Sequence, residues 1–238
     1  MPVTDVIDKK AIKVVILAGG RGTRAYPYTD YLPKPMLPVN GQPIIMRVMS
    51  IFAEQGYDKF VLSIGYKGEI ITDYFQNKNM DWDVEFQDTG PDTDTGGRIK
   101  GCQHLLGETF MATYSDGLAR VPLDELLGFH RRHEGLVTVT SVPLTSQYGT
   151  IDSTHSGRIV SFNEKPTLRD HWINAGFMVF DHSVFKHWEG ENLERDVLPR
   201  LCGKGLAYTY HSNAFFKSMD TYKDQQDIEE LYLSGRFP

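Results

Sequence analysis

The densest cluster of chemistry-bearing residues lies early in the chain, in Leu17-Ala18-Gly19-Gly20-Arg21-Gly22-Thr23-Arg24, with Lys34 following shortly after. Glycine lets a backbone turn sharply, so consecutive N–H groups can face one concavity, a geometry that binds anions. Arg21, Arg24 and Lys34 add positive charge on or near that loop. Arginine presents a planar fork and lysine a compact charge, and both match phosphate oxygens. A nucleoside triphosphate, with about four negative charges near neutral pH, suits this density of donors. A tight turn with solvated arginines is the local alternative, and spacing alone does not separate the two.

A rival reading shares the same glycines. Gly20-x-Gly22-x-x-Ala25 satisfies the loose dinucleotide fingerprint after a strand. That fingerprint works only when a helix starts at once, because the helix N-terminus holds the pyrophosphate. Pro27, Pro33, Pro35 and Pro38 deny the segment a helix of any length. The acidic residue expected about 20 positions on is missing too, since residues 40–45 read NGQPII. An ordinary P-loop is excluded, because no GxxxxGK[ST] occurs.

The elements that must position this loop follow from periodicity. Residues 12–17, IKVVIL, form a β-branched apolar run without alternation, the mark of a strand buried on both faces. Residues 18–42 read as one long ordered loop. Pro43 opens a helix to about Gln55, stopped by Gly56. Strands follow at 59–64, 82–86, 109–114 and 136–142, with helices at 67–76, 97–106 and 123–133 between them. This alternation predicts an α/β fold, a Rossmann-like doubly wound and mostly parallel central sheet. Beyond residue 143 the rhythm turns β-rich. Strands are expected at 148–151, 158–162 and 172–180, with a hairpin bend at His155-Ser-Gly157, a helix near 193–201 and short strands at 207–211 and 214–217. A last helix covers 222–233, with Thr221 as its N-cap and Asp224 in its first turn. No linker stands out, so the chain reads as one domain over 1–238 with halves at 12–143 and 144–238.

Bulk properties narrow the class. The 238 residues carry 25 Lys and Arg against 31 Asp and Glu, a formal net charge of -6 that repels nucleic acid as a partner. Two distant cysteines, Cys102 and Cys202, make no disulfide framework and read as reduced, partly buried thiols. MPVTDVIDKK lacks a signal-peptide core, and no apolar run approaches the ~20 residues of a membrane span. The expectation is a cytoplasmic protein with no membrane partner.

LAGGRGTR followed by YLPKPMLPVNGQPII resembles the opening of the sugar-1-phosphate nucleotidyltransferases. Later segments agree in order: Thr95-Gly96-Gly97-Arg98, Ser115-Asp116-Gly117, Tyr148-Gly149, Glu164-Lys165-Pro166, Asn174-Ala175-Gly176 and Met219-Asp220-Thr221. Among branches, DTG…TGGRIK, WINAGF and the closing KSMDTYKD…LYLSGRFP are most like the glucose-1-phosphate cytidylyltransferases. The stretch from Phe75 to Asp88 is shorter than in that branch, and Ser115 and Ala175 stand where glycine is usual.

The resemblance implies a transfer that joins a nucleoside triphosphate, CTP by preference, to a sugar 1-phosphate, glucose 1-phosphate by preference, releasing pyrophosphate. It leaves open a uridylyl-, thymidylyl- or guanylyltransferase, and a non-catalytic nucleotide-binding homologue. The nucleophile is already an anionic phosphate oxygen, so the chemistry needs charge neutralisation and alignment rather than a general base. By resemblance, Arg24, Lys34 and Lys165 are the catalytic cations. The nucleotide is held by Leu17, Ala18, Gly19, Gly20, Gly22, Thr23, Thr95, Gly96, Arg98 and Ser115. The sugar phosphate is held by Tyr148, Gly149, Glu164, Lys165, Asn174 and Gly176. Asp116 and Asp220 are the ligands of Mg²⁺, the implied cofactor, and a homo-oligomer is implied. His130 and His133, beside Arg131 and Arg132, read as a solvated helix face, and Tyr208 and Tyr210 as packing residues.

Overall fold

A computed structural model describes residues 8–236. The leader reading over the first seven residues and the closing Phe237-Pro238 of the family-like tail lie outside them. Strand β1 (Val14–Leu17) starts the sheet. Its four residues are all buried and alternate between the two faces. Val14 and Ile16 join one hydrophobic cluster and Val15 and Leu17 the other, which is why the run shows no polar alternation.

Prolines shape what comes next. Instead of a helix the chain makes three 3₁₀ turns, Thr23–Ala25, Tyr28–Asp30 and Lys34–Met36, then the short pair β2 (Pro38–Val39) and β3 (Gln42–Pro43). Helix α1 (Ile44–Ala53) begins behind Pro43, as its sequence predicts. Then come β4 (Lys59–Ile64), α2 (Gly68–Gln76) and β5 (Asp83–Asp88). Helix α3 (Thr95–Gly101) starts two residues before the expected Gly97, because the Asp94 side chain caps it at Thr95 N. Strand β6 (Thr109–Tyr114) matches its expected range. The short β7 (Gly117–Ala119) was not foreseen.

Helix α4 (Leu123–His130) stops before His133, and β8 (Val137–Thr145) follows. A hairpin of β9 (Thr150–Ser153) and β10 (Ile159–Asn163) bends at the expected turn, although Tyr148 and Gly149 precede its first strand. Strand β11 (Thr167–Asp181) is longer than its sequence suggests. Residues 193–197 form a single π turn that passes into α5 (Leu198–Gly203). Strands β12 (Ala207–His211) and β13 (Phe216–Ser218) lead to α6 (Tyr222–Leu233). There Thr221 and Asp224 form a reciprocal capping box.

Seven strands build the central sheet in the order β12-β8-β11-β6-β1-β4-β5. All run parallel except β11, which is antiparallel to both neighbours. The sheet thus draws strands from both halves of the sequence. From β1 the chain first builds outward through β4 and β5, then returns to place β6 on the other side. This reversal makes a topological switch point at the carboxyl ends of β1 and β6, where such sheets place their ligand crevice. The core beneath is aromatic in places: Phe110 stacks on Phe180 at 5.2 Å and on Phe185 at 5.6 Å, and Phe52 stacks on Phe177 at 5.3 Å. Fully burying one such ring stabilises the fold by about 1.5–3 kcal/mol.

Among the described residues, no helix is long and apolar enough to cross a membrane. Cys102 is buried and Cys202 exposed. One expectation needs correction. His130 is buried rather than solvated, because it packs beside β8 and meets Thr138. Gly135 N donates to His133 Nδ1, so a neutral His133 carries its proton on Nε2, 2.7 Å from Thr138 Oγ1. The Thr138 hydroxyl then donates to His130 Nδ1 at 2.9 Å. Tyr208 stacks on His133 at 3.9 Å and Tyr210 donates to Glu125 at 2.9 Å, both packing roles as expected.

Candidate active site

The glycine loop leaves β1 into the crevice. Leu17 and Ala18 are buried and anchor it, with Ala18 N still bonded to Ser63 O at 2.9 Å. Gly20 lies open to solvent. Gly22 adopts a left-handed conformation at φ +63°, and a Cβ there would lie 2.8 Å from Lys34 Cβ. Glycine is therefore needed twice over, for the turn and for the approach of Lys34.

Arg98 does not face the crevice. It is only 3% exposed, and its guanidinium lies against Gly19, in the space a side chain would take. Its NH2 donates to Gly19 O and its NH1 to Thr89 Oγ1, both at 2.9 Å. Arg98, expected among the nucleotide-holding residues, thus braces the loop from behind. Burial pushes its pKa below the usual value, opposed by the nearby carboxylates Asp94 and Asp88. Thr95 is also committed internally, accepting from Leu193 N at 2.9 Å and donating to Glu194 at 2.7 Å. Arg21 pairs with Asp92 at 2.9 Å on the rim.

The centre of the site is a quartet of charges. Lys34, 7% exposed, contacts Asp116 Oδ2 and lies 3.0 Å from Asp220 Oδ1. Arg24 reaches the same Asp220 oxygen at 2.9 Å. Burial acts to raise the Asp220 pKa, but Lys34 and Arg24 together hold it below the usual carboxylate range. The two aspartates are distant in sequence, and β7 and β13 bring them together. Gly117 pairs with Ser218, and Met219 N donates to Asp116 O at 3.0 Å. Ser218 Oγ donates to Asp220 Oδ2 at 3.2 Å, so each Asp220 oxygen has its own donors. Lys34 thus meets carboxylates, not open space, although sequence reading assigns it to the triphosphate. Ser115 is buried next to this cluster in sequence.

The second half of the site is laid out differently. Residues 146–166 leave the sheet as an excursion carrying the β9–β10 hairpin, closed at its neck by Ser146 N donating to Pro166 O at 3.0 Å. Tyr148 is 77% exposed, and Glu164 and Lys165 are exposed. Lys165 has a left-handed backbone at φ +47°. A Cβ on Gly149 would lie 3.1 Å from Glu164 Oε2, so these two expected partners are neighbours. Past the excursion, β11 rejoins β8 with two breaks in register, the second between Asn174 and Met178. Such a bulge re-aims a side chain. Asn174 Oδ1 accepts from Gly176 N at 2.7 Å, and its Nδ2 points to Tyr114 OH at 3.4 Å. Gly176, at φ +79°, lies on the Tyr114 ring, where a Cβ would come within 2.5 Å. Tyr114 and Glu194 were not foreseen, and no spacing rule in the sequence marks them.

Arg24, Lys34, Asp116 and Asp220 therefore converge at the carboxyl edge of the sheet. Asn174 and Gly176 adjoin them through Tyr114, two residues before Asp116, while Tyr148, Glu164 and Lys165 stand on the exposed excursion.

Comparison with known proteins identifies the family. Residues 13–222 match the nucleotidyl transferase family model. The chain is 34% identical to a probable glucose-1-phosphate cytidylyltransferase of Bacillus subtilis, covering 94% of this chain and 98% of that protein. It is 32% identical to the glucose-1-phosphate cytidylyltransferase of Salmonella typhimurium, covering 95% and 98%. A mannose-1-phosphate guanyltransferase of Hypocrea jecorina is also 32% identical, over 94% of this chain but 65% of its own length. In fold, the chain resembles the crystal structure of HddC from Yersinia pseudotuberculosis, with a TM-score of 0.73 at 24% identity, covering 93% of this chain and 99% of that one. The glycine loop, the switch-point crevice and these matches together place the chain in the nucleotidyl transferase family, as a sugar-1-phosphate nucleotidyltransferase.

Proposed function

We propose that this protein joins CTP to glucose 1-phosphate, forming the nucleotide sugar and pyrophosphate, with Mg²⁺ as cofactor. The observation that carries the reading is the convergence of Asp116, Asp220, Lys34 and Arg24 beside the glycine loop. In the reaction, a phosphate oxygen of the sugar 1-phosphate bonds to the α-phosphorus. The bond from that phosphorus to the α–β bridging oxygen breaks, and its electrons leave with pyrophosphate. Two anions must meet, so the residues act mainly by neutralising charge and fixing geometry.

Two carboxylates that both touch one ammonium form a hard, anionic oxygen donor set, which fits a divalent cation. Asp116 and Asp220 would hold Mg²⁺, which when bound withdraws charge from the α-phosphate oxygens. Gly19, Gly20, Gly22 and Thr23 would line the triphosphate with backbone N–H groups, and Arg24 would receive the charge of the pyrophosphate. Lys34, held by the two aspartates, would neutralise the same phosphates. Lys165, Glu164, Tyr148, Gly149, Asn174 and Gly176 would take the sugar phosphate.

CTP and glucose 1-phosphate are favoured because both cytidylyltransferase relatives align over 98% of their own length. A guanylyl reading rests on the guanyltransferase relatives, which this chain spans over about two thirds of their length. A matrix of nucleoside triphosphates against sugar 1-phosphates, followed by pyrophosphate release, tests the proposal. CTP with glucose 1-phosphate is expected to give the highest kcat/KM; preference for GTP overturns the nucleotide assignment, and no turnover with any pair overturns the reaction.

A further inference from the structure

Glu194 belongs to none of the site segments, yet it makes the contacts that join the two halves of the site. Its Oε2 accepts from Thr95 Oγ1 at 2.7 Å, and its Oε1 accepts from Tyr114 OH. The turn that presents it is unusual in itself. Residues 193–197 form a π turn, and Asn192 caps it through bonds from Glu194 N and Arg195 N. Such π turns widen the helix at one point and often mark functional positions. The turn is docked on the start of α3 by several further bonds. Asn192 Nδ2 donates to Asp94 at 3.0 Å, Leu193 N to Thr95 Oγ1 at 2.9 Å, and Gly97 N to Glu191 O at 2.9 Å. Glu194 is therefore fixed in place before it meets Tyr114.

Tyr114 transmits this placement. Its ring supports Gly176, and its hydroxyl, as a donor to Glu194, is left with its lone pairs facing Asn174 Nδ2. Asn174 is then oriented from both ends, with its oxygen held by Gly176 N and its nitrogen drawn toward Tyr114.

We infer that Glu194 is a positioning residue of the sugar-phosphate subsite, acting through Tyr114 on Asn174 and tying that subsite to Thr95 and α3. The inference rests on the proposed function, in which Asn174 binds the sugar. Steady-state kinetics on Glu194→Gln, Tyr114→Phe and the double variant, with thermal melting of each, test it. A lost hydrogen bond to a charged group corresponds to about a tenfold change. Each single variant should therefore raise KM for the sugar 1-phosphate by about tenfold, with KM for the nucleotide and kcat changing less than about threefold. The double variant should match the singles, because both cut the same relay. Glu194→Asp, which keeps the charge but shortens the reach, should not restore the wild-type KM. An unchanged sugar-phosphate KM, an additive double variant, or a loss of kcat that tracks a lowered melting temperature overturns the inference while wild-type turnover stands. Absence of wild-type turnover with every substrate pair overturns instead the reading on which it rests.

Discussion

The two halves of the candidate site are built on opposite physical plans. Around the glycine loop, the two innermost cations are buried and bonded to their neighbours, Lys34 between two aspartates and Arg98 behind Gly19, while Arg24 reaches Asp220 from the exposed side. On the excursion of residues 146–166, the corresponding residues stand in solvent. The first plan fixes charges in a low-dielectric setting, where each is worth more and each loss costs more. The second spends little folding free energy on its residues, and so places few demands on them beyond contact with a substrate. Substitutions in the first half should therefore disturb folding and turnover together, and those in the second turnover alone.

The largest expected effect lies at the charge quartet. Asp116→Asn should lower kcat by about 10³-fold, the scale seen when one element of transition-state charge stabilisation is removed. Because Lys34 would lose one of its two anionic partners, the unfolding midpoint in urea should fall as well. A variant with wild-type turnover would remove Asp116 from the reaction.

Next comes Arg98→Met, which strips Gly19 O and Thr89 Oγ1 of a buried donor. Equilibrium unfolding should show a loss of about 3 kcal/mol, combining unsatisfied polar groups with a disturbed loop. A stable variant with altered nucleotide preference would instead show that Arg98 acts on the nucleotide directly.

Acid should weaken the sheet near β8, away from the substrates. Burial, helped by the neighbouring His133, holds the His130 pKa down at about 4, against an ordinary 6.5. The neutral form is thus favoured in the fold. Its contribution is complete above pH 6.5 and is lost as pH falls toward 4, where the unfolded chain binds a proton that the fold refuses. The loss should approach about 3 kcal/mol. Urea titrations between pH 7 and 4 check this, and His130→Gln should flatten the slope.

The smallest effect on folding belongs to the excursion. Tyr148→Ala and Lys165→Met should change stability by less than about 0.5 kcal/mol. Both should raise KM for the sugar 1-phosphate. A large stability loss at either position would break the contrast between the halves.

The same contrast explains what could be read in advance. β1 declares itself through a β-branched apolar run, β4 and β6 through short, largely apolar stretches, and α6 through Thr221 as N-cap with Asp224 in its first turn, all local signals. The prolines after Gly22 decided that no helix follows the loop, and the structure shows only 3₁₀ turns there. The meeting of Asp116 with Asp220 was legible only through family resemblance, because the three-residue β7, which pairs with β13 to join them, is too short to show a pattern. Periodicity cannot reveal that β11 runs against the rest of the sheet, and His130 looked solvated because charged neighbours surround it in sequence. Glu194 was invisible for a related reason: its partners, Thr95 and Tyr114, are distant in the chain.

The neck of the excursion has a consequence for how such a molecule can change over generations. Thr145 faces Thr167 across the β8–β11 pair, and Ser146 meets Pro166 just beyond. Whatever lies between these points enters and leaves the sheet at one pinned gate. Lengthening a loop whose ends are already fixed is thermodynamically cheap, about 0.6 kcal/mol per doubling. The excursion can thus be exchanged, extended or redecorated while the seven strands keep their register. A descendant could change its contacts with the sugar by rewriting some twenty contiguous residues, leaving Asn174 and the charge quartet as inherited.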